Sequence, residues 1–216
     1  MLFRSFDCLE RPVPNLTGLK SCRVLIPAPV SMRKFFQAQI QKQISLSKRK
    51  KKGSMVVKLN SLSDDQLIHD IYDAAKAGVK SSFVIRGIFC GVMEQKSFKK
   101  NPKAISIVDQ YLEHARVFIF GEEENKQVFI SSADWMVRNL DHRVEVACPI
   151  LNKEIQTELS HIMNIQLREN EKARILDAAL SNHYVLPKEE EPWLRSQVAI
   201  HDYLKNKEYN IESSSH

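Results

Sequence analysis

The stretch from Met55 to Arg86 constrains this 216-residue chain more than any other. An apolar run, MVVKL (55–59), leads into S-x-x-Q at Ser63–Gln66. Leu67, Ile71 and Ala75 then recur at four-residue intervals, Gly78 follows, and a second run, SFVIR (82–86), closes the stretch. Short apolar runs bounded by turn signals read as strands. The Ser63–Gln66 pair reads as a capping box that opens a helix. Glycine suits the left-handed residue just past a helix end. Strand, helix and strand in so few residues make a β-α-β unit, parallel and with a right-handed crossover. A parallel pair commits the chain to the α/β class, with both sheet faces covered.

The remaining pattern fills in around that unit. RVFIF (116–120) and QVFIS (127–131) alternate as strands around the acidic turn GEEEN, and RVEVACP (143–149) adds another strand. Ile105, Val108 and Leu112 are spaced for a short helix. Further helices are expected near Asn152–Arg168, Glu171–Leu180 and Trp193–Lys205. Upstream, Pro12 and Pro14 punctuate residues 1–20, and RVLIP (23–27) reads as a short strand. Phe36, Ile40 and Ile44 stripe a helix that starts after Ser31. The expected architecture is a mixed sheet from Met55 to Pro149 flanked by helices, with an N-terminal strand–helix arm. Residues 1–54 form a connecting arm, 55–206 the main domain and 207–216 a flexible tail.

Thirty-two Lys and Arg against 26 Asp and Glu leave a formal charge of +6. Such a surplus favours an anionic partner: nucleic acid, polyphosphate, nucleotides or an acidic membrane surface. One basic run is Lys48-Arg49-Lys50-Lys51-Lys52; a second stretch, Gly87 to Lys103, carries Lys96, Lys99, Lys100 and Lys103. Each reads as a solvated loop or as a polyanion contact, and the first also as a nuclear-type signal. No apolar run reaches the roughly 18 residues of a membrane span. Charges at Arg4, Asp7, Glu10 and Arg11 deny the N-terminus a signal-peptide core. Cys8, Cys22, Cys90 and Cys148 form no C-x-x-C pair. Neither a zinc site nor a disulfide framework is signalled, and a reduced cytosolic setting is the default. With 43% hydrophobic and 27% charged residues, wholesale disorder and a fibrous repeat are excluded.

Three segments place polar groups at strand ends, where open α/β sheets build their sites. Arg86 closes SFVIR; His114 and Arg116 stand at the entrance to RVFIF. The loop after QVFIS gathers Ser131, Ser132, Asp134, Asn139 and Asp141 beside Arg138 and Arg143. Each has a structural reading. Arg86 can pair with Glu113 or Glu145, and Arg138 and Arg143 with Asp134 or Asp141. Those two aspartates are either arginine partners or Mg²⁺ ligands. Trp135 is a packed hydrophobe or a base-stacking platform, and His69 is solvated. The functional reading is phosphate chemistry. A neutral imidazole can take a phosphoryl group, and cations balance the charge on phosphoryl oxygens. A His-x-basic pair entering a strand, then a strand ending in a small-polar loop, outlines a phospholipase D-like half-site. The motif of that superfamily is H-x-K-x4-D; here Arg116 takes the third place and Gly121, not an aspartate, the last.

Longer runs carry a closer resemblance. KLNSLSDDQLIHDIYDAAKAGVK, IRG, AISIVDQYLEHARVFIF, VFISSADWMVRNLDHRVEVACPI, LSNHYV and QVAIHDYL closely resemble the C-terminal region of the bacterial polyphosphate kinase family. The similarity runs from about Met55 to Leu204 and is looser from Leu2 to Lys52, where LIPAPVSMRKFF resembles a segment joining two phospholipase-like domains. The chain departs from the family in the loop FCGVMEQKSFKKNPK, which lacks a proline near Cys90, and in the GEEEN hairpin.

The resemblance implies an α/β fold that is one phospholipase D-like half, the second such domain of the family, spanning residues 55–206. It implies a fragment lacking the upstream domains, including the one whose histidine becomes phosphorylated; no IHAK-type motif occurs here. The implied reaction is transfer of the terminal phosphate of ATP to polyphosphate. Arg86 resembles the ATP-contacting arginine, His114 the second active-site histidine, and Arg143 an arginine of the same phosphate pocket. ATP, ADP and polyphosphate are the implied ligands, with Mg²⁺ accompanying ATP through ligands the sequence does not identify and no metal site of the chain's own. No nucleic-acid partner is implied. The partner is the upstream half or a second copy, and the location cytoplasmic or peripheral at a membrane within a kinase complex. Two other readings stand beside this one: a non-catalytic polyanion-binding remnant, and a half-site phosphotransferase or phosphodiesterase completed by homodimerisation.

Overall fold

The computed structural model describes residues 17–20 and 22–213. The irregular start expected around Pro12 and Pro14, together with Cys8, lies outside these residues. The elements run α1 (Thr17–Lys20), β1 (Ile26–Ala28), α2 (Met32–Lys48), β2 (Ser54–Leu59), α3 (Asp65–Ala77), β3 (Lys80–Ile85) and β4 (Lys103–Ile107). They continue with β5 (Val117–Phe120), a 3₁₀ turn (Glu123–Asn125), β6 (Gln127–Ser131), α4 (Val137–Asp141), β7 (Glu145–Ile150), α5 (Lys153–Leu167), β8 (Ala173–Ile175) and α6 (Ser196–Ser213).

All eight strands form one mixed sheet in the order β1-β7-β6-β5-β2-β3-β4-β8. β2, β3 and β4 are parallel neighbours, and every other pairing is antiparallel. Strand alternation divides the core into two layers. Met55, Val57 and Leu59 of β2, Phe83 and Ile85 of β3, and Phe118 and Phe120 of β5 face α2 and α3. Val84, Val117, Ile119 and Val128 face the other way, onto Met163 and Leu159 of α5. Met32, Phe36, Ile40 and Ile44 bury the α2 stripe against the first layer. Trp135 is fully buried there, stacked on Phe118 at 5.4 Å and 22°. It is a packed hydrophobe. Among the described residues, no helix is long and apolar enough to cross a membrane.

The structure corrects several local expectations. The N-cap of α3 is Asp64, whose carboxylate accepts from the Leu67 amide at 3.1 Å, and not Ser63. Ser63 instead donates its amide to the Trp135 carbonyl. Gly78 does close α3, in the left-handed conformation (φ 86°). The helix expected from Ile105, Val108 and Leu112 is absent. Lys103–Ile107 is strand β4, with Ile105 opposite Val84. Val108 and Leu112 are 68% and 76% exposed, so their spacing marks no buried stripe. In place of a helix at Glu171–Leu180, Ala173–Ile175 forms edge strand β8 on β4. The last helix starts at Ser196, later than Trp193, and passes Lys205 to Ser213. The sheet is therefore wider than Met55–Pro149, gaining β1 at one edge and β8 at the other.

Candidate functional site

Topology gathers the polar strand ends. β2 and β3 are parallel, so Asn60 and Arg86 leave the sheet at the same end. β5 runs against β2, which brings its entrance, with His114 and Arg116, to that end too. β6 reverses again and delivers the Ser131–Asp134 loop beside them.

Asp134 is the keystone of this cluster. It is 4% exposed. Its Oδ1 accepts from the backbone amides of Asn60 (2.7 Å) and Ser61 (3.1 Å) and from Arg116 Nε (3.2 Å). Its Oδ2 accepts from Arg116 Nη2 at 2.9 Å, making a bidentate pair. The next layer carries the candidate chemistry. Arg86 donates to Asn60 Oδ1 from Nε (2.9 Å) and from Nη2 (2.5 Å). The same Nη2 lies 3.4 Å from His114 Nδ1. A guanidinium is always a donor, so Nδ1 is the acceptor. That contact selects the neutral tautomer with its proton on Nε2.

Beneath the site, Lys58 is buried on the α5 face, the lone cation within the apolar run of β2. It donates to Glu113 and, at 2.9 Å, to Gln166 Oε1. Gln166 Nε2 (2.5 Å) and Gln197 Nε2 (3.1 Å) also donate to Glu113. Burial, the largest influence on Glu113, raises its carboxyl. The Lys58 charge and the three donors outweigh it and hold the group below the usual carboxylate range. The loop before His114 is clasped by the start of α6. Arg195 donates to both oxygens of Asp109 at 2.7 and 2.8 Å. Gln197 accepts from the Tyr111 amide (3.0 Å) and donates to the Tyr111 carbonyl (2.8 Å).

Of the expected residues, Arg86 and His114 meet directly. Arg143 is exposed at the same sheet end, two residues before β7, and makes no hydrogen bond to a described residue. β7 lies four strand positions from β3, roughly 19 Å at the usual spacing. Arg86 pairs with neither Glu113 nor Glu145. Asp134 and Asp141 are indeed arginine partners, but of Arg116 and Arg33 rather than Arg138 or Arg143. Ser131 and Ser132 spend their hydroxyls on Val146 and Glu145. His69 is exposed on α3. Pattern reading passed over Asn60, Lys58, Glu113 as a ligand of Lys58, Arg195 and Gln197. Lys58 had a signal, a charge inside an apolar strand; the others had none.

The engaged carboxylates around this site do not fit a magnesium ion. Asp134, Glu113 and Asp141 are all engaged by cations, and among the described residues no set of three His, Cys, Asp or Glu is grouped to hold a metal ion. With its carboxylates occupied, the cluster presents N–H donors and positive charge outward. Such a surface suits an oxyanion with several equivalent oxygens.

Residues 25–197 match the family model described as polyphosphate kinase C-terminal domain 2. The chain is 38% identical over 205 residues to a polyphosphate kinase of Klebsiella pneumoniae, covering 95% of this chain and 29% of that protein. It is 42% identical over 184 residues to one of Vibrio cholerae, covering 85% and 26%. The crystal structure of polyphosphate kinase from Porphyromonas gingivalis superposes with a TM-score of 0.88 at 38% identity, over 97% of this chain and 31% of that one. Nuc from Salmonella typhimurium, a phospholipase D family member, shares the fold at a TM-score of 0.52 and 18% identity, over 71% of this chain and 97% of that one. The chain thus spans between a quarter and a third of its polyphosphate kinase relatives. A phospholipase D-like sheet, the strand-end cluster it assembles and identity along nearly the whole length agree: this chain belongs to the polyphosphate kinase family and corresponds to its C-terminal domain 2.

Proposed function

We propose that this chain supplies the ATP-phosphate half of a polyphosphate kinase site, for the reaction ATP + polyphosphate(n) ⇌ ADP + polyphosphate(n+1). The observation that carries the reading is the Arg86–His114 pair, held at converging strand ends where the nearby carboxylates are already bonded. Arg86 grips phosphate oxygens with the guanidinium edge that Asn60 leaves open. His114, fixed at Nδ1, donates from Nε2 to a neighbouring oxygen. Arg143 meets the anion further along the sheet end. The transferred phosphoryl group passes through a histidine outside this chain. Magnesium arrives on the nucleotide rather than on protein carboxylates. Charge-assisted contacts contribute about 1.5–3 kcal/mol each, so Arg86→Ala should weaken ATP binding by roughly 10- to 150-fold. With γ-labelled ATP the chain alone should make no polyphosphate, and adding the upstream part of a polyphosphate kinase should restore synthesis. Unchanged nucleotide affinity in Arg86→Ala refutes the site. Covalent labelling of the chain alone, lost in His114→Ala, refutes the missing-histidine mechanism in favour of a site completed by a second copy.

A further inference from the structure

The two basic runs are separated by more than forty residues in the chain, yet they meet in the fold. Lys48 to Lys52 leave the C-terminal end of α2, all exposed. The Ser47 hydroxyl donates to the Ala77 carbonyl at 2.9 Å, docking that helix end on the end of α3. The Lys80 amide donates to the Gly53 carbonyl at 3.0 Å. From the other side, the amides of Lys99 and Lys100 both donate to the Ala75 carbonyl, at 3.1 and 3.2 Å. Gly78 is the hub. A Cβ on it would stand 3.6 Å from Ser47 Oγ and 3.8 Å from Lys99 Cβ. Lys103, opposite Ser82, extends the group onto β4.

Lys48, Arg49, Lys50, Lys51, Lys52, Lys80, Lys99, Lys100 and Lys103 are all exposed, and none pairs with a described carboxylate. Acids border the group: Glu94, which lines a groove of about 690 Å³ with Lys100 and Lys103, Glu122 and Glu123, beside Lys50 to Lys52, and Asp73, which pairs with Lys76. Asp73 and Lys76 cancel, so the nine cations meet three further acids, a local excess of at least six. Two helix C-termini lie here and account for some of it, but each dipole end carries only about half a charge. The group sits where β2 and β3 begin, and the Arg86 cluster sits where they end. Six residues separate the two ends, roughly 20 Å.

We infer that this basic pole is a second, remote binding surface for linear polyphosphate, holding the polymer about 20 Å from the strand-end site. The inference rests on the proposed function for the choice of polymer. Charge chemistry supports that choice over nucleic acid. Eight of the nine cations are lysines, point charges suited to a featureless phosphate chain, where arginine forks would favour stacking and bidentate readout. Among the described residues the aromatics nearest the pole are already engaged: Phe98, only partly exposed, packs on Tyr72, and the Tyr184 ring is covered by Arg174 at 3.9 Å, which leaves little free face for stacking a base.

The test is polyphosphate binding by the full chain, measured across a salt series. Two triple variants are compared with wild type, Lys50/Lys51/Lys52→Gln and Lys99/Lys100/Lys103→Gln. Single-stranded polyanions release about 0.7 counterions per neutralised phosphate. Each triple should therefore flatten the log–log salt slope by about 2 and weaken binding at least tenfold, with ATP affinity and far-UV circular dichroism unchanged. Unchanged slopes in both variants overturn the pole, as does tighter binding of single-stranded DNA or RNA than of polyphosphate. Lysine-dependent polyphosphate binding without ATP binding supports the pole while refuting the proposed ATP site, so the two readings fail separately.

Discussion

Replacing Asp134 tests the reasoning about the site most directly, because the consequences can be counted. Asp134→Ala removes the acceptor of two backbone amides, Asn60 and Ser61, and the bidentate partner of Arg116. A buried donor left without a partner costs about 1–3 kcal/mol. A largely buried cation deprived of its only carboxylate costs about 3–5 kcal/mol when burial is complete. Arg116 keeps 12% of its side chain exposed and can also reach the His114 carbonyl, so its share falls at the low end. Two such amides come to about 2–6 kcal/mol and Arg116 adds about 3 kcal/mol, a total of about 5–9 kcal/mol against a typical domain stability of about 5–15 kcal/mol. Asp134→Asn keeps an oxygen for the two amides but loses the charge and turns an NH2 donor toward Arg116 Nη2, and should cost about 2–3 kcal/mol. With a urea slope of about 2–3 kcal/mol/M, the alanine variant should unfold roughly 2–4 M earlier than wild type and the asparagine variant about 1 M earlier. Trp135, buried next to the mutated residue, reports unfolding by its fluorescence, while exposed Trp193 changes little. A midpoint shift under 0.3 M for the alanine variant, about 1 kcal/mol at most, would refute the claim that Asp134 holds the strand ends together.

Arg195→Ala should unclasp the loop that carries His114, leaving the Asp109 carboxylate, 3% exposed, without its partner. Hydrogen exchange of amides 109–114 should quicken while the α2–α3 core stays protected, at a stability cost of about 2 kcal/mol. Arg33→Ala should be costlier, about 3 kcal/mol by thermal or urea melts, because it strips the cation from Asp64, which is 0% exposed and caps α3. The hydrogen bonds from Arg195 hold the Asp109 carboxyl below its ordinary value, and Glu113 is depressed as well. A depressed carboxyl contributes stability that is full above its unfolded pKa, about 4, and is lost as pH falls through its folded value. The urea midpoint should therefore decline as pH drops below about 4, and the decline should be shallower in Asp109→Asn.

How much of this was legible depended on whether a signal was local. The β-α-β unit was legible because its helix stripe, its closing glycine and its two apolar runs all point one way. Its N-cap was not, because Ser63, Asp64 and Asp65 offer three adjacent caps and tertiary contact chose among them: the Trp135 carbonyl takes the amides of Ser63 and Asp64. β4 was misread because Ile105, Val108 and Leu112 mimic helical spacing, while the pairing partner that makes KAISI a strand lies twenty residues away in β3. β8 is three residues long and is defined only by its neighbour. Arg86 and His114 were legible as strand-end polar groups and through resemblance. Asn60, Arg195 and Gln197 were not, since each acts by holding another residue, and nothing in a single sequence marks an asparagine that supports an arginine 26 positions later.

The reversal of β5 explains why the site exists at all. If β5 ran parallel to β2, as β3 does, its entrance would lie with the starts of β2 and β3. His114 and Arg116 would then sit among the lysines of the basic pole, roughly 20 Å from Arg86. Running antiparallel, β5 puts its entrance beside the exits of β2 and β3, and β6 returns Asp134 to the same end to tie Arg116 to the Asn60 amide. The H-x-R pair therefore belongs at a strand entrance for a topological reason, and Arg86 belongs at a strand exit for the same one. The arrangement also separates two kinds of cation. At the exits the cations are forked, bonded and aimed, which suits gripping one phosphate group. At the entrances they are, Arg49 apart, lysines on loops, helix ends and strand starts, exposed and unpaired among the described residues, which suits holding a long anion without fixing its register.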